Sequence, residues 1–291
     1  MSQTTEILKK IKKLDVTTKH LVDGLIAGKY HSIFKGQGME FSEIREYMPG
    51  DDIRTIDWKV TARFNRPYIK EFIEERDLQV YFVIDVSGSG NFGAHISKKE
   101  KSLEIIASLM FAALRANDAM GVFLVSDRVE KFIPARKGRR HALQLLNATF
   151  DFTPKSGKTN LKKPLEQITK TIKRKSIVFV VSDFIDKSDF LKPLKVLQKR
   201  HDVISLRIID PRERTIPNVG LIELEDEETG EQILVDTSDK KFRESYDILI
   251  AQNDSQFESN MKKIKIDAIS LITEQNYAVP IRKFFKKRRH R

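Results

Sequence analysis

One stretch of sequence decides the fold: Val83-Ile84-Asp85-Val86-Ser87-Gly88-Ser89. It continues the apolar run of residues 78–82, and this enrichment in β-branched and aromatic residues predicts a buried strand that ends at Asp85. A carboxylate at the carboxyl end of a strand, followed by hydroxyls at alternate positions, places three hard oxygens on one turn. Hard oxygens suit Mg²⁺, and ligand sites of open α/β sheets lie beyond the carboxyl ends of their strands. The sequence therefore predicts a ligand or cation site just beyond Asp85.

Strand patterns alternate with helix patterns from residue 78 onward. After the first strand, the pattern predicts strands at residues 120–125, 129–133, 176–181, 202–209 and 264–271. Between and after them it predicts helices at residues 98–116, 141–150, 161–173, 190–199 and 240–261, with a short helix after residue 273. This alternation indicates an α/β fold with a doubly wound, mainly parallel sheet covered by helices. A hairpin at about residues 219–237 is predicted to be inserted into it.

The first part of the chain has a different sequence pattern. We predict two domains, with residues 1–76 a helical and β-rich segment that packs on the core and residues 77–291 the α/β domain. Short helices are expected at residues 5–13 and 18–27, and a strand at 68–72. The intervening sequence is dense in paired charges around the sole tryptophan: Arg45, Asp51, Asp52, Arg54, Asp57, Trp58 and Arg63. Bidentate Arg–Asp pairs could brace a sheet edge there, although a contact with a partner is the other interpretation.

Composition excludes several classes of site. The 291 residues contain no cysteine, so disulfides, thiolate metal sites and cysteine nucleophiles are excluded. The six histidines show no zinc-binding spacing. There is no apolar signal sequence or membrane-length apolar run, and we therefore expect a cytoplasmic protein.

The net charge of +12 is unevenly distributed. Residues 282–291 contain seven Lys or Arg and no acid, which leaves the rest of the chain only mildly basic. Such a tail is either a solvated end or, as a minor alternative, a contact for nucleic acid or an anionic membrane.

Two more predicted strand ends or loops carry oxygen ligands, namely Thr159 and Asp183. Together with the first loop they resemble the metal-ion-dependent adhesion site of the von Willebrand factor A-type (VWA) fold, in which an Asp-x-Ser-x-Ser loop, a threonine and an aspartate share one cation. The matching positions are Asp85, Ser87, Ser89, Thr159 and Asp183. The resemblance implies a VWA-like domain that binds Mg²⁺, or Mn²⁺ or Ca²⁺, and docks an acidic residue of a partner on the ion.

A second resemblance covers most of the chain. The sequence is similar to the bacterial domain-of-unknown-function family fifty-eight in Gly36-x-Gly38-x-Glu40-Phe41, Arg45-Glu46-Tyr47, Pro49-Gly50-Asp51-Asp52-x-Arg54-x-Ile56-Asp57-Trp58 and Ala62-Arg63. The hairpin residues Asp226-x-Glu228-Thr229-Gly230-Glu231 and the terminal Phe284-Phe285-x-x-Arg288 also resemble that family. Its members are commonly encoded beside MoxR-type AAA+ ATPases. The resemblance implies an adaptor or co-chaperone that works with such an ATPase on an unknown client protein.

Enzyme functions fit the sequence less well. A phosphatase of the haloacid dehalogenase type also places an aspartate nucleophile after its first strand, but it usually needs a second carboxylate two residues later, where this chain has Ser87. A two-metal nuclease would need more carboxylates than this loop offers. We therefore expect a binding protein without catalytic residues, with a metal-dependent phosphoester hydrolase as the alternative.

Overall fold

The computed structural model describes residues 40–73, 78–92, 96–225 and 230–289. These residues fall into two compact units, a smaller one within residues 29–77 and a larger one that starts at residue 78. The predicted helices at residues 5–13 and 18–27 and the glycines at 36 and 38 lie outside the described residues. The same holds for residues 226–229 of the hairpin.

The smaller unit is an antiparallel pair of strands, β1 (Glu40–Glu46) and β2 (Tyr68–Ile73), joined by a short helix, α1 (Trp58–Phe64). The strand predicted at residues 68–72 is present, whereas β1 and α1 were not predicted. Helix α1 begins after Asp57, whose Oδ1 accepts hydrogen bonds from the N–H groups of Lys59 and Val60 at 2.9 and 3.3 Å. It ends at Asn65 in the left-handed conformation. An aspartate before a helix and an asparagine after it are common caps, so the sequence did carry this signal.

The larger unit is built on a six-stranded sheet with the order β10-β7-β6-β3-β4-β5. Its strands are β3 (Gln79–Asp85), β4 (Ala119–Val125), β5 (Val129–Arg136), β6 (Ile177–Ser182), β7 (Asp202–Ile209) and β10 (Asp267–Ile272). All neighbours pair in parallel except β4 and the edge strand β5, which form an antiparallel hairpin. Strands β8 (Leu221–Glu225) and β9 (Gln232–Asp236) form the predicted hairpin outside this sheet. The predicted α/β class with a mainly parallel sheet is confirmed.

Helices cover both faces of the sheet. They are α2 (Lys98–Arg115), α3 (Arg139–Phe150), α4 (Lys162–Thr171), α5 (Leu191–Arg200), α6 (Lys240–Lys263) and α7 (Ala278–Arg289). Along β3, Tyr81 and Val83 pack into a cluster with buried residues of α4, α5 and α6. Side chains alternate along a strand, so Phe82 and Ile84 face the opposite side. Both faces of the central strands are therefore buried, which explains their almost continuous apolar sequence.

One predicted boundary was wrong for a physical reason. Helix α6 extends two residues beyond the predicted end, and β10 starts at Asp267 instead of residue 264. Lys265 between them has a φ of 57°, in the left-handed region, so the chain turns there. Ile264 and Ile266 are buried in the core by this turn. Their apolar pattern resembles the start of a strand, although these residues lie in the turn before it.

Gly121 in β4 occupies a position without room for a side chain. A Cβ there would lie 2.6 Å from Cε1 of Tyr81 and 2.9 Å from the carbonyl oxygen of Ile133. We expect Gly121→Ala to lower the free energy of unfolding by about 1–3 kcal/mol, because the buried ring and the backbone of β5 must both shift. Urea denaturation measures this. The control is Gly157→Ala, where a Cβ would meet nothing within 4 Å. An equal loss in the two variants would contradict the steric explanation.

The topology brings two of the predicted oxygen ligands to one edge of the sheet. The chain passes from β3 to β4 on one side, and later returns to β6 on the other side of β3. In open α/β sheets, the carboxyl ends of the two strands that flank such a switch point form a crevice. Asp85 ends β3 and Ser182 ends β6, so the predicted oxygen ligands Asp85 and Asp183 come together there.

Candidate metal site

The turn after β3 gathers one carboxylate and two hydroxyls. Oδ1 of Asp85 accepts hydrogen bonds from the backbone N–H of Ser87 at 3.0 Å and from its Oγ at 2.7 Å. Oγ of Ser87 lies 3.2 Å from Oγ of Ser89, which belongs to a 3-10 turn at Gly88–Asn91. The three side chains predicted from the Asp-x-Ser-x-Ser sequence are thus neighbours on one turn.

The end of β6 supplies the second part of the site. Ser182 donates from Oγ to Oδ2 of Asp85 at 2.7 Å, and it accepts from the N–H of Phe184 at 3.0 Å. Asp183 lines the same pocket as Asp85, Ser87 and Ser89. Its Oδ1 accepts from the N–H of Ile185 at 3.1 Å. Phe184 has a φ of 58°, which is unusual for a bulky residue and indicates a strained turn at this strand end.

Thr159 lies on a loop that contacts the first turn. The N–H of Gly88 donates to the carbonyl of Gly157 at 2.9 Å, which joins the two loops by their backbones. Thr159 is half-buried and is not among the described residues that line the pocket. Four of the five predicted ligands therefore share one pocket, and the fifth lies on the adjacent loop.

Lys98 is a member of the site that the sequence did not reveal. It is the first residue of α2, and only 3% of its surface is exposed. Its ammonium lies 2.7 Å from Oδ2 of Asp183 and 2.6 Å from Oε1 of Glu213. Glu213 belongs to a 3-10 turn, Pro211–Glu213, directly after β7. Nothing in the sequence distinguishes Lys98 from Lys99 or Lys101 beside it, and Ser182 was likewise recognised only as the end of a strand.

The ionisable groups of the pocket influence each other strongly. Burial and the neighbouring carboxylate of Asp183 raise the pKa of Asp85 to about 6, although hydrogen bonds from Ser87 and Ser182 oppose this. For Lys98, burial lowers the pKa, but the carboxylates of Asp183 and Glu213 outweigh it and raise the pKa above the ordinary value. Two carboxylates, Asp85 and Asp183, line the pocket together with Lys98 and Lys99, and Glu213 pairs with Lys98 without lining the pocket itself. The ammonium of Lys99 donates to the carbonyl oxygen of Phe152 at 3.3 Å. Asp85 is the carboxylate that hydroxyls and a backbone N–H satisfy, and no ion pair to it is formed by the described residues.

These residues fit a small divalent cation. One carboxylate with adjacent hydroxyls is an oxygen donor set of the kind that Mg²⁺ uses, with water completing its shell. The pocket has a free volume of about 20 Å³, enough for about one water or small ion. No cluster of three or more His, Cys, Asp or Glu in metal-binding arrangement occurs among the described residues. The fit thus depends on the hydroxyls of Ser87 and Ser89.

The charged segment of the smaller unit is partly explained by local structure. Arg45 and Asp51 form a bidentate pair at 2.8 and 2.9 Å, and this guanidinium lowers the pKa of Asp51 to about 2. Asp52 caps the 3-10 turn Ile53–Thr55 by accepting from the N–H of Arg54, and Asp57 caps α1 and pairs with Lys70 at 3.2 Å. Three further members of the set remain at the surface: Trp58 is 71% exposed, and within the described part of the chain Arg54 and Arg63 form no ion pair.

The basic end of the chain is held in place by its last described turn. Within α7, Phe285 is buried and Arg288 contacts Asp202 at 2.6 Å and Asp267 at 3.0 Å. These aspartates begin β7 and β10, so this turn is joined to the amino edge of the sheet. Four other basic residues of this helix are exposed: Arg282, Lys283, Lys286 and Lys287.

Comparison with known proteins identifies the family. The family model described as "Protein of unknown function DUF58" matches residues 43–256, more than half of the chain. The chain belongs to the DUF58 family. The family that the sequence motifs predicted is therefore confirmed.

Relatives of this DUF58 chain have uninformative names. The uncharacterized protein Rv1480 of Mycobacterium tuberculosis is 28% identical over 282 residues, which cover 96% of this chain and 89% of the relative. The uncharacterized protein YeaD of Bacillus subtilis is 27% identical over 132 residues, which cover 45% of this chain and 30% of YeaD. Among solved structures, an aerotolerance-related membrane protein from Bacteroides fragilis is similar at 14% identity and a TM-score of 0.49, over 73% of this chain and 98% of that one. In the DUF58 chain itself, none of the described helices is both long and apolar enough to cross a membrane.

Proposed function

We propose that this DUF58 chain is a metal-dependent protein-binding adaptor with a VWA-like domain, and that its pocket at the switch point docks an acidic residue of a partner through a bound cation. The observation that carries the proposal is the placement of Asp85, Ser87 and Ser89 on one turn with Asp183 on the neighbouring strand end. Mg²⁺ is the expected ion, with Mn²⁺ and Ca²⁺ as substitutes, since all three prefer oxygen ligands.

Each residue of the chain has a distinct part in this proposal. Asp85 holds the ion together with the hydroxyls of Ser87 and Ser89. Asp183 contributes negative charge from further away, because its two oxygens already accept hydrogen bonds from Ile185 and Lys98. Thr159 acts from the adjacent loop. Because the hydroxyls are neutral, the bound ion retains positive charge that attracts a carboxylate from a second molecule.

The partner is proposed from the family resemblance. A chain similar to proteins that are commonly encoded beside MoxR-type AAA+ ATPases is expected to meet such an ATPase in the cytoplasm. In this proposal the ATPase supplies the remodelling work, and the DUF58 chain links it to a client protein as an adaptor or co-chaperone. The exposed Trp58, Arg54 and Arg63 of the smaller unit are available for a second contact.

This function is tested by capture of a MoxR-type ATPase that is encoded beside the DUF58 chain. We expect the wild-type chain to retain the ATPase in Mg²⁺ and to lose it in EDTA, with recovery when Mg²⁺ is restored. Asp85→Ala should reduce Mg²⁺-dependent capture roughly tenfold or more, because one carboxylate of the site is gone. Glu258→Ala is the matched control, since this carboxylate lies on the exposed side of α6. Capture that survives both EDTA and Asp85→Ala would reject the docking mechanism.

A metal-dependent phosphoester hydrolase is the alternative, and Asp85 and the ammonium of Lys98 in the same pocket are the features that keep it open. A screen of phosphate esters with Mg²⁺ and Mn²⁺ decides between the two. Turnover that Asp85→Asn abolishes would favour the hydrolase, whereas no turnover favours the adaptor.

A further inference from the structure

Lys98 brings a fixed positive charge into a pocket that is proposed to bind a cation. Its side chain lines the same pocket as Asp85 and Ser87, and it is 4% exposed. Its ammonium contacts Asp183 and Glu213 at 2.7 and 2.6 Å. Buried ammonium groups are costly unless they are paired, so these two carboxylates account for its presence there. What they do not account for is why a cation site contains an ammonium at all.

The charge cannot easily leave the pocket. Lys98 is the first residue of α2, whose start is fixed by the capping box of Ser97 and Glu100. Glu213 is held by its own turn, where its Oε2 accepts from the N–H of Asp210 at 3.3 Å and its carbonyl accepts from the hydroxyl of Tyr246 at 2.8 Å. Lys98 and Glu213 therefore both lie on backbone that is fixed by hydrogen bonds. The ammonium and a bound ion would have to coexist in the same pocket.

We propose that Lys98 sets the charge balance of this pocket, so that it weakens binding of a divalent cation to the free protein and strengthens docking of a carboxylate once the cation is bound. The inference rests on the proposed function, because it concerns regulation of the same site. The relevant groups are the two carboxylates that line the pocket, Asp85 and Asp183, together with Lys98 and its second partner Glu213; with all four charged, their formal sum is −3 + 1 = −2. Lys99 also lines the pocket, but its ammonium donates to the carbonyl oxygen of Phe152 at 3.3 Å, and its charge is the same in every state compared below. A divalent cation brings the sum to zero, and a docked carboxylate then brings it to −1.

Without Lys98 the same steps run through more negative states. The empty pocket would carry −3, the cation-loaded pocket −1, and the pocket with a docked carboxylate −2. A more negative pocket attracts a divalent cation more strongly and repels an incoming carboxylate more strongly. Lys98 therefore weakens binding of the divalent cation and strengthens binding of the partner's carboxylate to the cation-loaded pocket. A site of this kind fills with metal mainly when the partner arrives.

Four proteins separate the effect of charge from that of shape. The formal charges are −1 for Glu213→Gln, −2 for wild type, −2 for Lys98→Met with Glu213→Gln, and −3 for Lys98→Met alone. We expect Mg²⁺ affinity, measured by titration calorimetry at pH 7.5, to rise in that order, with roughly a tenfold change for each unit of charge. The double variant should lie within about threefold of wild type for the same reason. Lys170→Met, at the exposed end of α4, controls for net protein charge and should leave the affinity unchanged.

Acetate serves as the probe for the docking step. With Mn²⁺ in the site, acetate that reaches the ion displaces water, which lowers the relaxation enhancement of solvent protons. We expect Lys98→Met to bind acetate several-fold more weakly than wild type and than the double variant, because its loaded pocket is negative. This measurement tests directly whether Lys98 strengthens docking of a carboxylate on the bound cation.

The possible results are distinguishable. If wild type binds neither Mg²⁺ nor Mn²⁺, the proposed function itself fails. The charge proposal is overturned if wild type binds Mg²⁺ but Lys98→Met binds it no more tightly than wild type. It is also overturned if the double variant binds Mg²⁺ clearly more weakly than wild type. In either case Lys98 only positions Asp183. If Lys98→Met does not fold, the comparison of Glu213→Gln with wild type still decides, since an affinity equal to or above wild type would refute the proposal.

Discussion

Replacing Asp85 with asparagine is expected to stabilise the metal-free protein at pH 7.5 by about 2–3 kcal/mol and to abolish its response to Mg²⁺. The reason is that burial and the carboxylate of Asp183 raise the pKa of Asp85 to about 6 in the folded protein. Asparagine is neutral and nearly isosteric, and it can keep the hydrogen bonds from Ser87. It therefore removes the repulsion while preserving the turn.

The sign of the pH dependence follows from the two pKa values. The ordinary value of 3.8 applies to the unfolded chain, and about 6 applies to the folded one. Below pH 3.8 both states are protonated, so Asp85 has no effect on stability. Between pH 3.8 and 6 the unfolded state loses its proton first, so the stability of the metal-free wild type falls as the pH rises, and it levels off above 6. The advantage of Asp85→Asn should therefore be small at pH 4 and complete by pH 7.5.

Urea denaturation in EDTA and in Mg²⁺ measures both effects. Wild type should gain about 2.7 kcal/mol at a Mg²⁺ concentration of about 100 times its dissociation constant, and Asp85→Asn should gain nothing. The control is Asp236→Asn, at the exposed end of β9, where the change should stay within about 0.5 kcal/mol. A destabilised Asp85→Asn at neutral pH would show that the carboxylate is not repelled in the folded protein.

The parts of the site that the sequence predicted are those set by local chain geometry. Asp85, Ser87 and Ser89 belong to one turn, so their spacing alone brings them together. That Asp183 joins them was implied by the resemblance to the adhesion site, and it fits the fold because parallel strands that flank a switch point end at the same edge of the sheet. Only for the first loop does the spacing in the sequence by itself fix the positions of the side chains in space.

The parts that were missed depend on contacts between distant segments. Lys98 and Glu213 are 115 positions apart and meet only because α2 and the end of β7 reach the same pocket. A lysine in the first turn of a helix is ordinary, and nothing in the local sequence shows that it is buried. Ser182 was hidden by its position at a strand end, where hydroxyls often satisfy backbone groups. Long-range pairing of polar side chains is invisible to patterns read over a few residues.

The same distinction applies to the fold. The alternation of strands and helices predicted the class and most elements, because burial on both faces imposes a strong apolar pattern. Helix α1 was missed because it is only seven residues long and contains no buried side chain that would set a periodic pattern. Its caps, Asp57 and Asn65, were the available evidence. Short exposed elements are specified by their ends rather than by periodicity.

Lys98→Met is expected to lower the free energy of unfolding of the metal-free protein by about 3–5 kcal/mol. Methionine fills most of the space of the lysine side chain, so the change mainly removes the charge. Asp183, which is 5% exposed, then loses the ion pair with Lys98, and its negative charge lies beside that of Asp85 with no ammonium to offset it. Glu213 loses the same contact but is 22% exposed and can be hydrated.

A double-mutant cycle identifies the cause of this loss. In EDTA, Glu213→Gln alone should have a smaller effect than Lys98→Met, and the double variant should recover part of the stability that Lys98→Met loses. A coupling energy of about 1–3 kcal/mol between the two sites is expected for groups in direct contact. Added Mg²⁺ should stabilise Lys98→Met more than wild type, because the cation then neutralises the carboxylates that the ammonium has left. Strictly additive losses, with no extra response to Mg²⁺, would instead mean that Lys98 contributes packing to the start of α2 and that its charge has no part in the balance of the pocket.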